Sequence, residues 1–230
     1  MQRPSRPNTP SQLITKLGVE LDSELLVLAL THRSFAFEHG GLPTNERLEF
    51  LGDAVLGAII AEQLFREYPE RAEGELSAMR ASIVSQRPLA AVAREIELNK
   101  FLLLGRGEQL TGGADKDSIL SDALEALIGA VYLSHGSAVT QTLVLRLLAN
   151  QIQAASASGA GADWKANLIE FAQSHELAAP EYEITWTGPD HARHFTAKVT
   201  VGDVVAVGEG SAKKHAEQAA AQAAYAALGD

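Results

Sequence analysis

Residues 45–56 read Asn45-Glu46-Arg47-Leu48-Glu49-Phe50-Leu51-Gly52-Asp53-Ala54-Val55-Leu56, and the chain continues as Gly57-Ala58-Ile59-Ile60-Ala61. The apolar residues of this stretch cover most of a helix circumference, which predicts a helix inside a domain. Glu46, Glu49 and Asp53 follow at i, i+3 and i+7 and therefore lie along one stripe of that helix. Ionised carboxylates repel one another, and burying them unpaired costs several kcal/mol each. The stripe therefore predicts a bound cation.

A second apolar stretch repeats this pattern at Ser118-Ile119-Leu120-Ser121-Asp122-Ala123-Leu124-Glu125-Ala126-Leu127-Ile128-Gly129. Two core helices that pack with their acidic faces together form a site of oxygen ligands, which suits Mg²⁺, with Mn²⁺ as a substitute, better than zinc. We predict that Glu49, Asp53, Asp122 and Glu125 hold this metal and that Asp53 and Glu125 are catalytic. Glu46 stands near a helix start, where the helix dipole favours an anion in any case, so it is a secondary acidic candidate.

The composition is typical of an ordinary globular protein. The chain has 230 residues, 46% hydrophobic and 21% charged, enough for one large or two modest domains. It contains no cysteine, so it forms neither a disulfide nor a thiolate metal site, and it fits the reducing cytoplasm, where we expect it. Residues 1–10 have basic residues but no apolar core, which predicts a disordered tail rather than a signal peptide. No apolar run approaches the roughly 18 residues of a membrane span.

The net charge of −10 counts against a nucleic-acid-binding protein, because phosphate recognition normally requires basic residues. Part of this acidity belongs to the predicted metal site, and the remainder must lie on faces that do not touch nucleic acid. The local motifs outweigh the bulk charge.

Helical patterns alone fill residues 11–153, which predicts an all-α first domain. Ser11 is a predicted N-cap of the first helix. Residues 105–117 contain four glycines and predict a loop in front of the second acidic helix, and Gly136 is expected to end that helix. Residues 154–162 are almost all alanine, serine and glycine, which predicts a flexible linker.

Beyond the linker the periodicity changes. Residues 164–174 have a helical pattern, and three strand-like runs follow at 182–186, 195–201 and 204–207. A final alanine-rich helix is predicted to begin at Ser211. Residues 163–230 therefore predict a second domain of the α+β class with the order α-β-β-β-α.

The run NERLEFLGDAVL at 45–56 resembles the signature of the ribonuclease III family, and SILSDALEALIGAVYL at 118–133 resembles the second acidic motif of that family. Other matching segments are Thr31-His32-Arg33-Ser34, Glu73-Gly74-Glu75-Leu76, Met79-Arg80-Ala81 and Leu104-Gly105-Arg106-Gly107-Glu108. The resemblance covers nearly the whole chain from residue 11 onward. It implies that Glu46 and Glu73 are secondary acidic residues near the metal site. We predict that His32 is a hydrogen-bonded structural histidine rather than a ligand.

Residues 163–230 resemble a double-stranded-RNA-binding domain. A-form RNA has a major groove too narrow for side chains, so such a module contacts two minor grooves and the phosphates between them. Ser211, Lys213 and Lys214 stand at a helix N-terminus, where backbone N–H groups and the helix dipole favour phosphate. Matching residues elsewhere include Pro180, Tyr182 and the turn Gly188-Pro189-Asp190-His191. The predicted RNA-binding residues are Lys165, Glu170, His191, Ser211, Lys213 and Lys214.

Three features depart from these resemblances. Residues 163–230 contain five Lys and Arg against ten Asp and Glu, a net charge of −5, which predicts modest and strongly salt-sensitive duplex binding. Ile169 stands where relatives often carry a glutamine that reaches the minor groove. Asp117 stands beside the second acidic motif, where relatives often have serine.

The resemblance implies an endoribonuclease that hydrolyses double-stranded RNA with Mg²⁺ and leaves 5′-phosphate and 3′-hydroxyl ends with short 3′ overhangs. It further implies a homodimer whose two sites cut the two strands, and the processing of ribosomal and other precursor RNAs. Two alternatives stay open. An all-α, Mg²⁺-dependent nucleotide pyrophosphatase would explain the first domain but leave the second unused. A non-catalytic double-stranded-RNA-binding protein would explain the second domain but not the acidic residues.

Overall fold

The computed structural model describes residues 10–157, 164–189 and 193–229. These residues form two compact units, the first up to residue 157 and the second from residue 164. Each unit has a hydrophobic core of its own.

The first unit is helical, as predicted. Its helices are α1 (Pro10–Leu17), α2 (Ser23–Leu30), α3 (Arg33–Glu38), α4 (Glu46–Glu67), α5 (Glu73–Val84), α6 (Gln86–Glu95), α7 (Arg106–Leu110), α8 (Asp117–Leu147) and α9 (Ala149–Ala157). Short 3₁₀ turns at Leu98–Lys100 and Gly113–Asp115 lie on either side of α7. Within the described part of this unit, strand-type pairing is limited to one bridge between Thr31 and Leu103.

The core of the first unit is built on the packing of α4 against α8, the most extensive contact between two elements of the described chain. Both helices contribute large side chains that are almost fully buried: Leu56, Ile60 and Leu64 from α4, and Leu120, Leu124 and Leu127 from α8. Burying one such side chain stabilises the fold by about 1.5–3 kcal/mol. The α4–α8 pair is therefore a rigid base for any site built on it.

Helix α4 is not enclosed on all sides, and in this respect the prediction of a fully internal helix was wrong. Phe50 is 80% exposed and Phe65 is 72% exposed, so one apolar side of the helix is left uncovered by the described chain. An apolar pattern shows which side chains avoid water, but it does not show whether the same chain or another molecule covers them.

The structure corrects two predicted helix boundaries in the first unit. Helix α1 begins at Pro10, one residue before the predicted cap Ser11, because proline at the first helical position loses no intrahelical hydrogen bond. The predicted loop 105–117 contains the short helix α7. Two of its free N–H groups are capped from α3, where Ser34 Oγ accepts from Gly105 N–H at 2.9 Å and Glu38 Oε2 accepts from Arg106 N–H at 2.9 Å.

The first residues of the predicted linker between the units are helical. Helix α9 continues to Ala157, four residues into the predicted linker 154–162, since alanine has the highest helix propensity of any residue. Residues 158–162 of that linker and residues 1–9 of the predicted tail lie outside the described residues. Helix α8 has non-helical backbone at Gly136, with φ of 74°, at the predicted end of the second acidic helix.

The second unit has the predicted α-β-β-β-α order. Its elements are α10 (Trp164–Ser174), β1 (Glu181–Thr187), β2 (His194–Val201), β3 (Val204–Gly210) and α11 (Lys213–Gly229). The strands form an antiparallel sheet in the order β1-β2-β3, with Ala197 opposite both Ile184 and Gly208. A Cβ atom at Gly208 would lie 2.1 Å from the backbone nitrogen of Ala220. The alanine-rich α11 therefore lies directly against β3.

No helix in the described parts of the chain has the length and apolar character needed to cross a bilayer.

Candidate active site

Three carboxylates from two helices meet where α4 packs against α8. Glu49 comes from α4, and Asp122 and Glu125 come from α8. Each offers one oxygen, and the three oxygens lie within 4.8 Å of one another. All three side chains are half-buried. A group of hard oxygen donors from two rigid helices fits a divalent cation such as Mg²⁺.

Asp53, predicted as a fourth ligand, lies outside this group of close oxygens and is exposed to solvent. It follows Glu49 by about one turn of α4. Its negative charge is the second-largest cause of the raised pKa of Glu125 and also contributes to the raised pKa of Glu49. The structure therefore brings three of the four predicted ligands together and places the fourth beside them.

The three carboxylates hold protons more tightly than isolated ones do. Burial, followed by the charges of Asp53, Asp122 and Glu49, raises the pKa of Glu125 to about 8. Burial also raises the pKa of Glu49, with the charge of Asp122 as the next cause. The pKa of Asp122 is raised by burial, against which a hydrogen bond from Ser121 acts at 3.2 Å. Mutual repulsion of this kind is relieved by a cation, which can replace the protons.

His32 is the N-cap residue of α3, and it lies near enough to Asp122 for the charge of each group to influence the pKa of the other. Its Nδ1 accepts the backbone N–H of Ser34 at 3.2 Å and lies 2.8 Å from Ser34 Oγ. Burial lowers the pKa of His32, with the charge of Glu108 acting in the opposite direction. These contacts agree with the predicted structural role, because the ring nitrogen that faces Ser34 is already occupied.

The two secondary acidic candidates lie in different places. Glu46 is exposed at the first residue of α4, accepts a hydrogen bond from Thr44 Oγ1 at 2.8 Å, and adds its charge to those that raise the pKa of Glu49. Glu73 is the first residue of α5 and lines a surface cavity of about 370 Å³ together with Ala61. Ala61 follows Glu49 by more than three turns, about 18 Å along the helix. Within one chain, Glu46 therefore borders the acidic group and Glu73 does not.

Asp117 has a structural partner. Its Oδ1 accepts a hydrogen bond from Arg94 Nη2 at 2.6 Å, and the same nitrogen donates to the backbone oxygen of Asp115 at 2.5 Å. Arg94 is in the last turn of α6, and Asp117 is the first residue of α8. The carboxylate thus joins the start of the second acidic helix to α6 and is not part of the acidic group.

The predicted phosphate-binding residues of the second unit are exposed. Lys213 and Lys214 open helix α11, and Ser211 precedes them. Neither lysine forms an ion pair with any residue that the structure describes. Glu170 is exposed on α10. His191 lies outside the described residues, so its prediction stands without a structural account.

Lys165 is held by the protein itself. Its Nζ lies 3.0 Å from Glu217 Oε2 of α11 and 4.8 Å from the centre of the Tyr182 ring of β1. The Lys165 side chain is 33% exposed and that of Glu217 is 14% exposed. Lys165 therefore ties α10 to α11 and β1, and its ammonium already faces a largely buried carboxylate. Its predicted contact with RNA stays a prediction.

Sequence reasoning did not single out Gly52 of α4 and Gly129 of α8, at which these two helices touch. Glycine in a helix interior costs about 1 kcal/mol relative to alanine. A lone glycine next to the acidic residues of an apolar helix was the signal that could have identified them.

These two units define a class of protein: a helical nuclease that uses a divalent metal, joined to a module that binds duplex RNA. The comparisons agree with this class. Residues 22–152 match the model of the ribonuclease-III-like family, and residues 164–228 match that of the double-stranded RNA binding motif. The chain belongs to the ribonuclease III family.

Individual relatives are similar over most of their length. Ribonuclease 3 of Mycolicibacterium paratuberculosis is 54% identical over 220 residues, which cover 94% of this chain and 93% of that protein. Ribonuclease 3 of Streptomyces coelicolor is 54% identical over 211 residues, which cover 91% of this chain and 76% of that protein. The solved nuclease domain of ribonuclease III from Campylobacter jejuni is 42% identical, with a TM-score of 0.59, and covers 62% of this chain and 98% of that one. The activity of the chain is the endonucleolytic cleavage of double-stranded RNA, and neither alternative function is favoured.

Proposed function

We propose that Glu49, Asp53, Asp122 and Glu125 hold Mg²⁺, with Mn²⁺ as a substitute, and that RNA hydrolysis takes place at this site. The observation that carries the proposal is the group of carboxylate oxygens within 4.8 Å of one another, drawn from two helices. A divalent cation bound there lowers the pKa of a coordinated water and stabilises charge on the attacking and leaving oxygens of the phosphodiester. The donor set is all oxygen, as Mg²⁺ requires.

The four residues have different parts in this proposal. Glu49 and Asp122 are half-buried and hold the cation in place. Glu125, whose pKa is about 8, gives up its proton to solvent when the metal binds. Asp53 is the exposed member and would complete the ligand set. Asp53 and Glu125 are therefore the proposed catalytic pair. Glu46 is kept as a bordering residue, and Glu73 is kept as a secondary acidic candidate on the resemblance alone.

The proposed RNA-binding surface consists of Ser211, Lys213 and Lys214 at the start of α11, together with Glu170 on α10 and His191. The two lysines are exposed and meet phosphates where the dipole of α11 already favours anions. Glu170 is proposed to accept a hydrogen bond from a ribose 2′-hydroxyl in the minor groove. His191 is retained on the resemblance alone.

We further propose that the protein acts as a homodimer. Phe50 and Phe65 leave an apolar side of α4 exposed, and exposed aromatic side chains of this size mark interaction surfaces. The related Campylobacter jejuni domain is described as having a region involved in dimer formation. Two sites in one dimer would cut both strands and leave 5′-phosphate and 3′-hydroxyl ends with short 3′ overhangs. Sedimentation showing a monomer at micromolar concentration would exclude this arrangement.

The proposed substrates are duplex segments of ribosomal and other precursor RNAs, and the proposed place of action is the cytoplasm. A chain without cysteine needs no oxidising compartment to fold, which fits this location.

Cleavage of a perfect RNA duplex, with and without Mg²⁺, tests the proposed function. Cleavage that requires Mg²⁺ or Mn²⁺ and leaves free nucleoside triphosphates unchanged is the expected result. Cleavage that persists in a chelator would overturn the metal assignment.

A further inference from the structure

Gly52 and Gly129 bring the backbones of α4 and α8 into direct contact beside the acidic group. A Cβ atom at Gly52 would lie 1.8 Å from the carbonyl oxygen of Glu125, and a Cβ atom at Gly129 would lie 2.4 Å from the carbonyl oxygen of Leu48. Both obstacles are backbone atoms, which cannot turn aside as a side chain can. Any side chain at either position would therefore force the two helices apart.

The contact is continuous with the proposed ligands on both helices. Gly52 touches the backbone of Glu125 itself, and Gly129 touches the residue before Glu49. On α8, Gly129 follows Glu125 by four residues and so lies on the same helix face. On α4, Gly52 stands between Glu49 and Asp53. The place where the helices touch is thus the place from which the carboxylates project.

We propose that Gly52 and Gly129 are positioning residues of the metal site: by letting α4 and α8 touch, they set the distance across which Glu49 faces Asp122 and Glu125. The inference rests on the proposed function. It assigns to the two glycines the selection of a small cation, because the separation of the helices fixes the separation of the oxygens.

A methyl group at Gly129 shows how sensitive this distance is. To move the Leu48 oxygen from 2.4 Å to an ordinary contact of 3.4 Å, the helices must separate by about 1 Å. Mg²⁺ requires near-octahedral oxygens at about 2.0–2.1 Å, whereas Ca²⁺ accepts flexible sets at about 2.3–2.6 Å. A separation of this size therefore weakens Mg²⁺ binding much more than Ca²⁺ binding.

The test is Gly129→Ala in the full chain, with metal binding measured directly. Bound Mn²⁺ is followed by electron paramagnetic resonance and displaced with Mg²⁺ or Ca²⁺. We expect the Mg²⁺ dissociation constant to rise about tenfold or more and that of Ca²⁺ to change less than about threefold. In cleavage assays the half-saturating Mg²⁺ concentration should rise by a similar factor, while KM for duplex RNA stays unchanged. A folded variant with unaltered Mg²⁺ binding would overturn the inference.

Gly57→Ala is the matched control, because it adds the same methyl group to the same helix α4. A Cβ atom at Gly57 meets nothing within 4 Å among the described residues. Metal binding should stay at the wild-type level, since the α4–α8 contact is untouched. Weakened Mg²⁺ binding in Gly57→Ala equal to that in Gly129→Ala would count against a specific role for the contact.

Asp122→Glu decides the question if Gly129→Ala does not fold. With the helix backbones locked in contact, an added methylene cannot be accommodated by helix separation, so Mg²⁺ binding should weaken about tenfold. Mg²⁺ binding that is unchanged, or that weakens no more than Ca²⁺ binding does, would contradict the inference. Failure of the proposed function looks different, since wild type and Glu125→Gln would then bind Mg²⁺ equally well.

Discussion

The two functional regions of this chain are built in opposite ways. The acidic group at the α4–α8 contact consists of half-buried carboxylates on two packed helices. Burial raises the pKa values of Glu49, Asp122 and Glu125, and the charges of neighbouring carboxylates raise those of Glu49 and Glu125 further. The lysines at the start of α11 are exposed and form no ion pair with a described residue. One region concentrates negative charge in a fixed place, and the other presents positive charge to solvent.

This difference sets what each region can tolerate. A divalent cation needs several oxygens at fixed distances, so the loss or displacement of one carboxylate should remove most of the activity. Phosphate binding by exposed lysines is electrostatic and screened by salt, so each lost lysine should reduce affinity by a limited step. A single substitution in the acidic region should therefore remove most of the activity, whereas each substitution in the basic region should lower RNA affinity by a limited amount.

The largest expected effect comes from Glu125→Gln. This substitution keeps the side-chain shape but removes a metal ligand, so we expect duplex cleavage to fall by about a thousandfold or more while duplex binding stays within about twofold. Cleavage on gels and binding in a mobility-shift assay measure the two effects. Glu24→Gln, an exposed acid on α2, is the control and should leave both unchanged. Wild-type cleavage by Glu125→Gln would show that the site is elsewhere.

The next-largest expected effect is the pH dependence of Mg²⁺ binding and cleavage, which follows from the raised pKa of Glu125. At pH values below about 8 a proton competes with the metal for this carboxylate, so the apparent Mg²⁺ affinity should fall by about tenfold for each pH unit. At limiting Mg²⁺ the cleavage rate should therefore rise with pH up to about 8 and then level off. A rate that is flat between pH 6 and 8 at limiting Mg²⁺ would contradict the prediction.

The same pKa predicts how stability without metal changes with pH. The folded protein holds the Glu125 proton more tightly than the unfolded chain, so the contribution of this group to the free energy of unfolding is greatest below about pH 4.5 and is lost as the pH rises to about 8. Urea unfolding in a chelator should show this loss in wild type and not in Glu125→Gln. Mg²⁺ should restore stability above pH 8 in wild type only.

Sequence reasoning found the carboxylates but not how they are arranged. The i, i+3 spacing of Asp122 and Glu125 requires that they share a helix face, and the structure agrees. Spacing within α4 equally put Asp53 on the stripe of Glu49, yet it left open which part of that stripe α8 covers, and Asp53 is exposed. The exposure of Phe50 could not be predicted for the same reason, because periodicity shows which residues share a helix face but not what packs against that face.

Contacts between residues far apart in the sequence could not be predicted either. The pair between Lys165 and Glu217 joins residues 52 positions apart, so nothing local distinguished Lys165 from an open lysine. The partner of Asp117 was hidden in the same way, because Arg94 belongs to a different helix. The two-domain division and the α-β-β-β-α order were accessible because a change of periodicity is a local signal.

The fourth prediction separates the two kinds of lysine. Lys213→Met should weaken duplex binding by about tenfold or less and lower the slope of log affinity against log salt by about 1, because one phosphate contact is lost. Lys165→Met should leave that slope unchanged while it lowers the melting temperature, because it leaves Glu217 largely buried without its partner. Equal changes in salt slope for the two variants would show that Lys165 reaches the RNA after all.

The smallest effect is expected at Asp117, a carboxylate close to Asp122 in sequence but outside the acidic group. Its pair with Arg94 is partly exposed, with 43% and 39% of the two side chains accessible, and such pairs contribute about 0–1 kcal/mol. Asp117→Ser should therefore lower the free energy of unfolding by less than about 1 kcal/mol, because Arg94 keeps its hydrogen bond to the Asp115 backbone. Arg94→Met loses both contacts and should cost more. Half-saturating Mg²⁺ should change by less than about twofold in Asp117→Ser, measured beside Glu125→Gln. A tenfold change would mean that the start of α8 moves without this pair, and that the fixed placement of the acidic group depends on α6 as well as on α4.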